Sequence, residues 1–241
     1  MNGLSIERVH LRYPSGGGIE AGPLAFDAGH VTALLGPNGA GKSSLIKALV
    51  GVSRAKVEGL CLSGLPLENN RLRAQNLAYL SQTRTGPALA AVCDVISLGR
   101  FPFNGQDKEK RVNAVMTTLG LDPFATRPFG TLSGGEQARV LLGRALAVDA
   151  PVLLADEPTA SLDPHYALRI METLRDEARR GRTVILSLHD LDLAERYCDR
   201  ALIIDNGDVV AQGPIREALN EDILRSVFRV SRSKQGLSPI G

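Results

Sequence analysis

Apolar and polar positions along the chain follow two periods, one typical of strands and one of helices. Val31–Leu35 is a continuous apolar run that stops at Gly36, which is typical of a strand buried on both faces of a sheet. Apolar residues at helical spacing follow over positions 45–50, and Gly51 lies where such a helix would end. The pattern predicts a strand, a glycine-containing loop and a helix, in that order.

The same alternation returns in the second half of the chain. Val152–Ala155 and Thr183–Leu188 are short apolar runs that predict buried strands. A helix capped by Asp163 follows the first run, and an amphipathic helix over Leu191–Cys198 follows the second. Asn206-Gly207 separates two further apolar segments and predicts a hairpin. Strands that alternate with helices predict an α/β fold with a largely parallel sheet and an antiparallel portion at one edge.

A different, mostly helical pattern occupies about residues 89–147. One amphipathic helix ends near Gly120, and a second runs from about Glu136 to Ala147 with Ser133 as its N-cap. We interpret 1–241 as one domain, in which about 1–88 and 148–230 form the core and about 89–147 an inserted helical subdomain. The Ser/Gly/Lys-containing tail from Ser231 onward is expected to fray.

Composition narrows the class of protein. A chain of 241 residues with 44% hydrophobic and 22% charged residues is typical of a globular domain. The net charge of +2 argues against bulk binding of nucleic acid or anionic lipid. We find no apolar run of membrane-spanning length and no signal-peptide pattern, so a cytoplasmic protein is expected. Cys61, Cys93 and Cys198 lack metal-ligand spacing and are interpreted as small buried side chains.

The loop between the first predicted strand and helix carries the clearest chemistry. Residues 36–43 read GPNGAGKS and fit the phosphate-binding pattern G-x-x-x-x-G-K-[ST]. Backbone amides of such a loop wrap phosphates, Lys42 would reach the β- and γ-phosphates, and the Ser43 hydroxyl would ligate Mg²⁺. The alternative, a glycine-rich turn with a solvated lysine, does not explain why both flanking elements are those that the motif requires.

Polar residues follow three further predicted strands. Asp156 and Glu157 end an apolar run, where open α/β sheets bind their ligands. Asp156 suits a metal ion, and Glu157 suits a base that activates water near a γ-phosphate. His189 follows another strand and is interpreted as a γ-phosphate contact, although a structural histidine stays an alternative. Gln82 after residues 77–80 is a weaker candidate and could be a plain loop amide.

Residues 132–137 read LSGGEQ and predict a second anion site. Ser133 would cap the helix that follows, and Gly134 and Gly135 would leave the backbone amides in front of it unshielded. Amides at the positive end of a helix dipole bind anions. Two anion sites of different construction suggest a protein that holds a nucleotide from two sides.

Taken in order, these pieces resemble the nucleotide-binding subunit of an ABC transporter over nearly the whole chain. The resemblance rests on GPNGAGKSS at 36–44, Gln82 as the Q-loop glutamine, LSGGEQ at 132–137 as the signature motif, LLADEP at 153–158, Ser161–Asp163 as the D-loop and His189 as the switch histidine. It implies a P-loop NTPase core, ATP and Mg²⁺ as cofactors, and ATP hydrolysis. It also implies a head-to-tail homodimer in which the signature motif of one chain completes the ATP site of the other.

The resemblance assigns roles residue by residue. It implies catalytic roles for Glu157, His189 and Lys42. Contacts to ATP within one chain are implied for Tyr13, Gly36, Pro37, Asn38, Gly39, Ala40, Gly41, Lys42, Ser43, Ser44, Gln82 and His189. Contacts to the ATP bound by the partner chain are implied for Ser133, Gly134, Gly135, Glu136, Gln137 and Asp163. The implied Mg²⁺ ligands are Ser43, Gln82 and Asp156. Tyr13 would stack on adenine, or else be a core residue that continues the alternation of Val9 and Leu11.

A short segment bears on which transporter is involved. Leu98–Phe103 resembles the GRxP segment of ATPases that serve importers of ferric siderophores, haem and cobalamin, although it could be an exposed loop with locally packed aromatics. The resemblance implies integral membrane permease subunits and a substrate-binding protein as partners, contacted through the helical subdomain and the segment after Gln82. It also implies a peripheral location on the cytoplasmic face of the cell membrane and no nucleic acid.

Other functions stay open at this point. A soluble ABC ATPase of DNA repair or translation is one, but such proteins generally carry a long coiled coil or two cassettes, and neither pattern occurs here. An importer ATPase for another substrate, such as cobalamin or a metal ion, is another. A nucleotide-binding switch with little turnover is the third, and Glu157 and His189 argue against it.

Overall fold

The computed structural model describes residues 3–14, 17–83, 85–233 and 236–239. The strands are β1 (Gly3–Ile6), β2 (Arg8–Arg12), β3 (Gly18–Ala21), β4 (Leu24–Asp27), β5 (Val31–Leu35), β6 (Lys56–Glu58), β7 (Cys61–Leu62), β8 (Leu65–Pro66), β9 (Leu77–Leu80), β10 (Val152–Ala155), β11 (Thr183–Ser187), β12 (Arg200–Asp205), β13 (Asp208–Pro214), β14 (Val230–Ser233) and β15 (Gly236–Pro239). The α-helices are α1 (Lys42–Val50), α2 (Asn70–Asn76), α3 (Val92–Ser97), α4 (Lys108–Leu119), α5 (Gly134–Ala147), α6 (Pro164–Arg179), α7 (Leu191–Tyr197), α8 (Ile215–Ala218) and α9 (Glu221–Ser226). Short 3-10 helices lie at Leu98–Phe103, Asp122–Phe124 and Phe129–Thr131.

The central sheet has the order β6-β2-β3-β13-β12-β5-β11-β10-β9. Neighbours from β12 to β9 run parallel, while β12 and β13, β2 and β3, and β2 and β6 pair antiparallel. The prediction of a largely parallel sheet with an antiparallel portion at one edge is confirmed. The predicted hairpin is also confirmed: Asn206 and Gly207 both have positive φ (49° and 89°), as its tight turn requires.

A second, antiparallel sheet of order β4-β1-β7-β8 lies beside the first. The sequence did not predict it. Its strands contain two to four residues each, which is too few for a period of two to stand out from the surrounding loops.

Alternate residues of the central strands pack into two apolar cores, one on each face of the sheet. On β11, Val184 and Leu186 join the core covered by α3–α7, whereas Ile185 joins the core on the side of α1. All five residues of β5 are buried, including the polar Thr32, as predicted for a strand buried on both faces. Burial on both faces makes these strands rigid supports for the loops at their ends.

Helices fill the chain between β9 and β10. α4 ends at Leu119, and Gly120 follows with φ 62°, as predicted. α5 begins at Gly134, two residues before the predicted start, because Gly134 and Gly135 continue the helix that Ser133 caps. The division into core and helical subdomain stays a prediction. Within the described residues, no helix combines the length and apolarity needed to cross a membrane.

The expectation of a frayed tail is wrong for most of its length. Val230–Ser233 pairs with Gly236–Pro239 as an antiparallel hairpin, and Arg232 forms an ion pair with Glu195 of α7. The residues around the turn and at the very end lie outside the described residues.

Candidate functional site

Four adjacent parallel strands bring the predicted site residues together. β5, β11, β10 and β9 are neighbours in the sheet, so the loops after their carboxyl ends meet at one edge. The phosphate loop follows β5, Gln82 follows β9, Asp156-Glu157 follows β10, and His189 follows β11. Segments more than a hundred residues apart in sequence thereby form one polar cluster.

The phosphate loop needs glycine where it leaves β5. Gly36 has φ 147°, and a Cβ at this position would lie 1.9 Å from the carbonyl oxygen of Ile204. Gly41 then leads into α1 with φ 113° and no side-chain cap. The first-turn amides of α1 therefore face the loop without a side-chain acceptor at the N-cap, an arrangement suited to a phosphate.

Lys42 is held inside its own loop. Its ammonium donates to the carbonyl oxygens of Gly36 (2.7 Å) and Pro37 (2.9 Å), and the residue is only 4% exposed. Burial lowers the pKa of Lys42, and the negative charges of Glu157 and Asp156 oppose that shift. The positive charge therefore lies close to two carboxylates and to the mouth of the loop.

Asp156 is fully buried, and its two carboxylate oxygens have different surroundings. Its Oδ1 accepts hydrogen bonds from the hydroxyls of Ser43 and Ser187, each at 2.8 Å. Its Oδ2 is buried and, within the described part of the chain, has no hydrogen-bond partner. A carboxylate oxygen beside a serine hydroxyl is the donor set that a hard divalent cation prefers.

Both oxygens of Glu157 carry hydrogen-bond partners. Nε2 of His189 lies 2.6 Å from Oε1, and the amide of Gln82 donates to Oε2 at 2.8 Å. The backbone of Glu157 is left-handed (φ 47°), a conformation that costs about 1–3 kcal/mol and concentrates at functional sites. Its amide donates to Oγ of Ser187 at 2.8 Å, which holds this turn in place.

Ser187 is a site residue that the sequence analysis missed. Its hydroxyl donates to Asp156 and accepts from the backbone of Glu157, so one buried side chain positions both carboxylates. The available signal was a single polar residue near the end of the apolar run before His189. A lone serine at the end of a strand is too common to be distinctive.

Tyr13 lies at the edge of the cleft and is not part of the core. It follows the end of β2, is 42% exposed, and its hydroxyl is 3.1 Å from Oγ of Ser44. The cleft, of about 290 Å³, is lined by Tyr13, Gly17, Gly18, residues 38–44, Glu157 and His189. Stacking of Tyr13 on adenine stays a prediction.

The signature motif lies outside the residues that line this cleft, and its helix end is capped from within. The Ser133 hydroxyl accepts from the amide of Glu136 (3.4 Å), while the Glu136 carboxylate accepts from the amide of Ser133 (2.8 Å). Donation by the Ser133 amide lowers the pKa of Glu136. The expectation of unshielded amides is therefore wrong for Ser133 and Glu136, because the two residues form a capping box.

The two glycines of the signature motif have different surroundings. A Cβ at Gly134 would meet no heavy atom within 4 Å, whereas one at Gly135 would lie 2.4 Å from the Tyr166 ring. Tyr166 belongs to the first turn of α6, and its amide donates to the predicted cap Asp163 at 3.2 Å. The predicted D-loop and signature motif thus adjoin through one aromatic contact, and Tyr166 is a second residue that the sequence analysis missed.

Comparison with known proteins agrees with this arrangement. The family model described as ABC transporter matches residues 22–160. The chain is 39% identical to the hemin import ATP-binding protein HmuV of Nocardia farcinica, over 94% of this chain and 81% of that protein. It is 32% identical to the iron(3+)-hydroxamate import ATP-binding protein FhuC of Bacillus subtilis, over 95% of this chain and 89% of that protein. The solved dimeric structure of MJ0796, a bacterial ABC transporter cassette, superposes with a TM-score of 0.75 at 25% identity, over 88% of this chain and 99% of that chain.

Proposed function

The chain belongs to the ABC transporter family of ATP-binding subunits, whose ATP hydrolysis is coupled to transport, and from this premise we propose that it energises an importer of ferric siderophore or haem by ATP-driven closure of a homodimer. The observation that carries the enzymatic part is the juxtaposition of Lys42, Asp156 and Glu157 at the phosphate loop. A buried cation, a metal-type carboxylate and a positioned base are the parts that phosphoryl transfer to water requires.

The donor set at Asp156 fits Mg²⁺. Ser43 and Asp156 would hold the ion, since their oxygens are already 2.8 Å apart and Oδ2 of Asp156 is a buried oxygen without a partner among the described residues. When bound, Mg²⁺ neutralises charge on the β- and γ-phosphates. Gln82 would offer its carbonyl oxygen Oε1 to the ion, while its amide nitrogen donates to Glu157 at 2.8 Å.

In the proposed reaction, water attacks the γ-phosphorus of ATP and the bond to the bridging oxygen of ADP breaks. Glu157 accepts the proton of the attacking water, for which lone pairs remain beyond those that face His189 and Gln82. Lys42 stabilises the negative charge that develops on the transferred phosphoryl group. Inorganic phosphate and ADP are released.

The homodimer follows from the separation of the two anion sites. The signature residues do not line the cleft of their own chain, and the 25% identical cassette was solved as a dimer. We therefore assign Ser133–Gln137 and Asp163 to the ATP site of the partner chain. Gly134 is an exposed point of that surface, since a Cβ there would meet no heavy atom of the described residues within 4 Å.

The importer assignment draws on the relatives, which are named for import of hemin and of iron(3+)-hydroxamate. An import ATPase of this kind works at the cytoplasmic face of the cell membrane with permease subunits and a substrate-binding protein. Leu89 (93% exposed) and Phe101 (82% exposed) are the most exposed large apolar side chains among the described residues. Both lie in the segment from Gln82 through the predicted helical subdomain, where we place the permease contact.

The test is Glu157→Gln, with Glu172→Gln on the exposed face of α6 as matched control. Removal of the base is expected to lower phosphate release by about 100-fold or more, while MgATP still binds and holds the dimer. Light scattering after size exclusion measures the dimer. A variant that stays monomeric under saturating MgATP would contradict the dimer, and one that hydrolyses ATP at the wild-type rate would contradict the role of Glu157.

A further inference from the structure

Gly99 and Arg100, in the 3-10 helix at Leu98–Phe103, pack against the C-terminal end of α5. A Cβ at Gly99 would lie 2.2 Å from the carbonyl oxygen of Arg144, so only glycine allows this approach. Arg100 is 7% exposed, although arginine is rarely buried without a partner. One interpretation of the sequence was an exposed loop. The packing of Gly99 and Arg100 contradicts that interpretation.

The guanidinium of Arg100 caps the end of α5. Nη1 donates to the carbonyl oxygens of Ala147 (3.2 Å) and Val148 (2.9 Å), and Nε and Nη2 donate to that of Gln106 (3.2 and 3.1 Å). The charge also lies 4.1 Å from the centre of the Phe103 ring. Within the described residues no carboxylate forms an ion pair with it, so backbone carbonyls, including those at the negative end of the helix dipole, compensate the charge.

The opposite end of α5 is the signature motif. The helix has 14 residues, or about 21 Å at 1.5 Å per residue, and no proline interrupts it. Arg100 thus connects the helix that presents Gly134 with a segment whose other face is exposed. On that face Leu98 is 49% and Phe101 82% exposed.

A second contact connects the same segment with the core. The amide of Gln75 in α2 donates to the carbonyl oxygen of Pro102 at 3.0 Å. The segment is therefore held from two sides, by Arg100 on the signature helix and by Gln75 on the core. Among the described residues, neither of these contacts covers the apolar outer face of the segment, which is left for a partner.

We propose that Arg100 is a positioning residue that transmits movement between the permease, bound at Leu98 and Phe101, and the signature end of α5. The inference rests on the proposed function, because it needs a permease partner. It predicts that the cap on α5 matters for coupling and not for the chemistry of ATP hydrolysis, since Arg100 touches none of the residues at the phosphate loop.

The test compares ATP hydrolysis by the isolated subunit with hydrolysis by the complex, reconstituted with the permease that copurifies with the wild-type chain. Arg100→Met keeps the length of the side chain and removes its donors, Arg100→Lys keeps the charge without the planar fork, and the exposed Arg54→Met is the matched control. Arg100→Met is expected to lower the ratio of stimulated to basal hydrolysis, and transport with it, by about tenfold. Arg100→Lys is expected to give a smaller loss, and Arg54→Met none.

Unfolding temperature and MgATP affinity identify a variant that merely folds badly. If Arg100→Met does not fold, Gln75→Ala removes the second contact and is expected to lower the same ratio less. Basal and stimulated rates that fall together, or a ratio that stays at its wild-type value in every variant, would overturn the positioning role. Wild-type protein that shows ATP hydrolysis but no stimulation by any copurified membrane protein would instead overturn the importer assignment, and the inference with it.

Discussion

The two predicted anion sites are built in opposite ways. At the phosphate loop, Lys42 and Asp156 are buried and their charges face one another, while Oδ2 of Asp156 lacks a hydrogen-bond partner among the described residues. At the signature motif, Ser133 and Glu136 each accept a hydrogen bond from the other's backbone amide, and both residues remain exposed or half-buried. A buried and incompletely paired charge is costly, whereas a capped helix end is not.

This contrast indicates which site needs a ligand for its own stability. Ligand at the phosphate loop would complete the polar cluster, so its binding is expected to stabilise the chain. The signature motif has a capping box at Ser133 and Glu136 that needs no ligand, and it leaves Gly134 exposed for contact with another molecule. Variants of the two sites should therefore differ in kind: those in the first should change nucleotide binding by a single chain, and those in the second should change assembly.

The largest effect is expected at the phosphate loop. Lys42→Ala should weaken MgATP binding by about 100-fold, because one charge-assisted contact to phosphate is worth about 1.5–3 kcal/mol. Titration calorimetry measures the affinity. Lys47→Ala, on the same helix but not among the residues that line the cleft, should bind as wild type. If the Lys42 variant and the wild type bind MgATP with equal affinity, the phosphate loop is not the nucleotide-binding site of the single chain.

Substitutions at the two glycines of the signature motif should have opposite effects on stability, because Gly135 is packed against a side chain and Gly134 is exposed. Gly135→Ala puts a methyl group 2.4 Å from the Tyr166 ring and should lower the free energy of unfolding by about 1–3 kcal/mol. The methyl group of Gly134→Ala would meet no heavy atom within 4 Å among the described residues. This substitution should raise the free energy of unfolding by up to about 1 kcal/mol, since alanine favours the helix. Urea titration measures both. Removing the ring in Gly135→Ala/Tyr166→Ala should recover part of the loss; no recovery would contradict the steric explanation.

Ser187→Ala tests whether the site at the phosphate loop depends on buried hydrogen bonds. Asp156 would lose one of two donors and the amide of Glu157 would lose its acceptor, at a cost of about 1–2 kcal/mol in unfolding. The rate of hydrolysis should fall as well, because Glu157 is no longer held. Thermal unfolding and phosphate release report the two effects. Ser187→Thr, which keeps the hydroxyl, is the control. If Ser187→Ala changes neither the unfolding temperature nor the rate of phosphate release, the hydrogen bond from Ser43 is sufficient to position Asp156.

The smallest effect concerns the cap at the signature motif. The folded-state pKa of Glu136 is lowered from its usual value of 4.5, so its contribution to stability is present above that pH and is lost as pH falls through the lower folded value. Glu136→Gln, which lacks this charge, should be less stable than wild type at neutral pH by less than about 1 kcal/mol. The difference should shrink below pH 4.5. Urea titrations at several pH values measure it, and a difference independent of pH would contradict the assignment.

Much of the fold and of the core site was predictable because the signals are local. Val31–Leu35, the glycine pattern at 36–43 and Asn206-Gly207 each determine their own backbone, and each prediction was confirmed by the elements found there. Element ends were predicted less accurately: α5 starts at Gly134, because the two glycines before the predicted start continue the helix that Ser133 caps. The second sheet was not predicted, because its strands are too short to show the alternation of apolar and polar residues that is typical of a strand.

What the sequence determined by itself is the list of candidate reacting groups and the order in which strands and helices carry them, since both follow from residue type and spacing. Tertiary structure alone decided that Ser187 would hold both carboxylates, that Tyr166 would lie on Gly135, and that Arg100 would cap the far end of the signature helix. Each of these contacts joins segments about 30 to 50 residues apart. The periodicity of side chains predicts local elements and does not predict which distant segments come into contact. Burial and hydrogen bonding across the folded chain made ordinary serine, tyrosine and arginine residues into parts of the two sites.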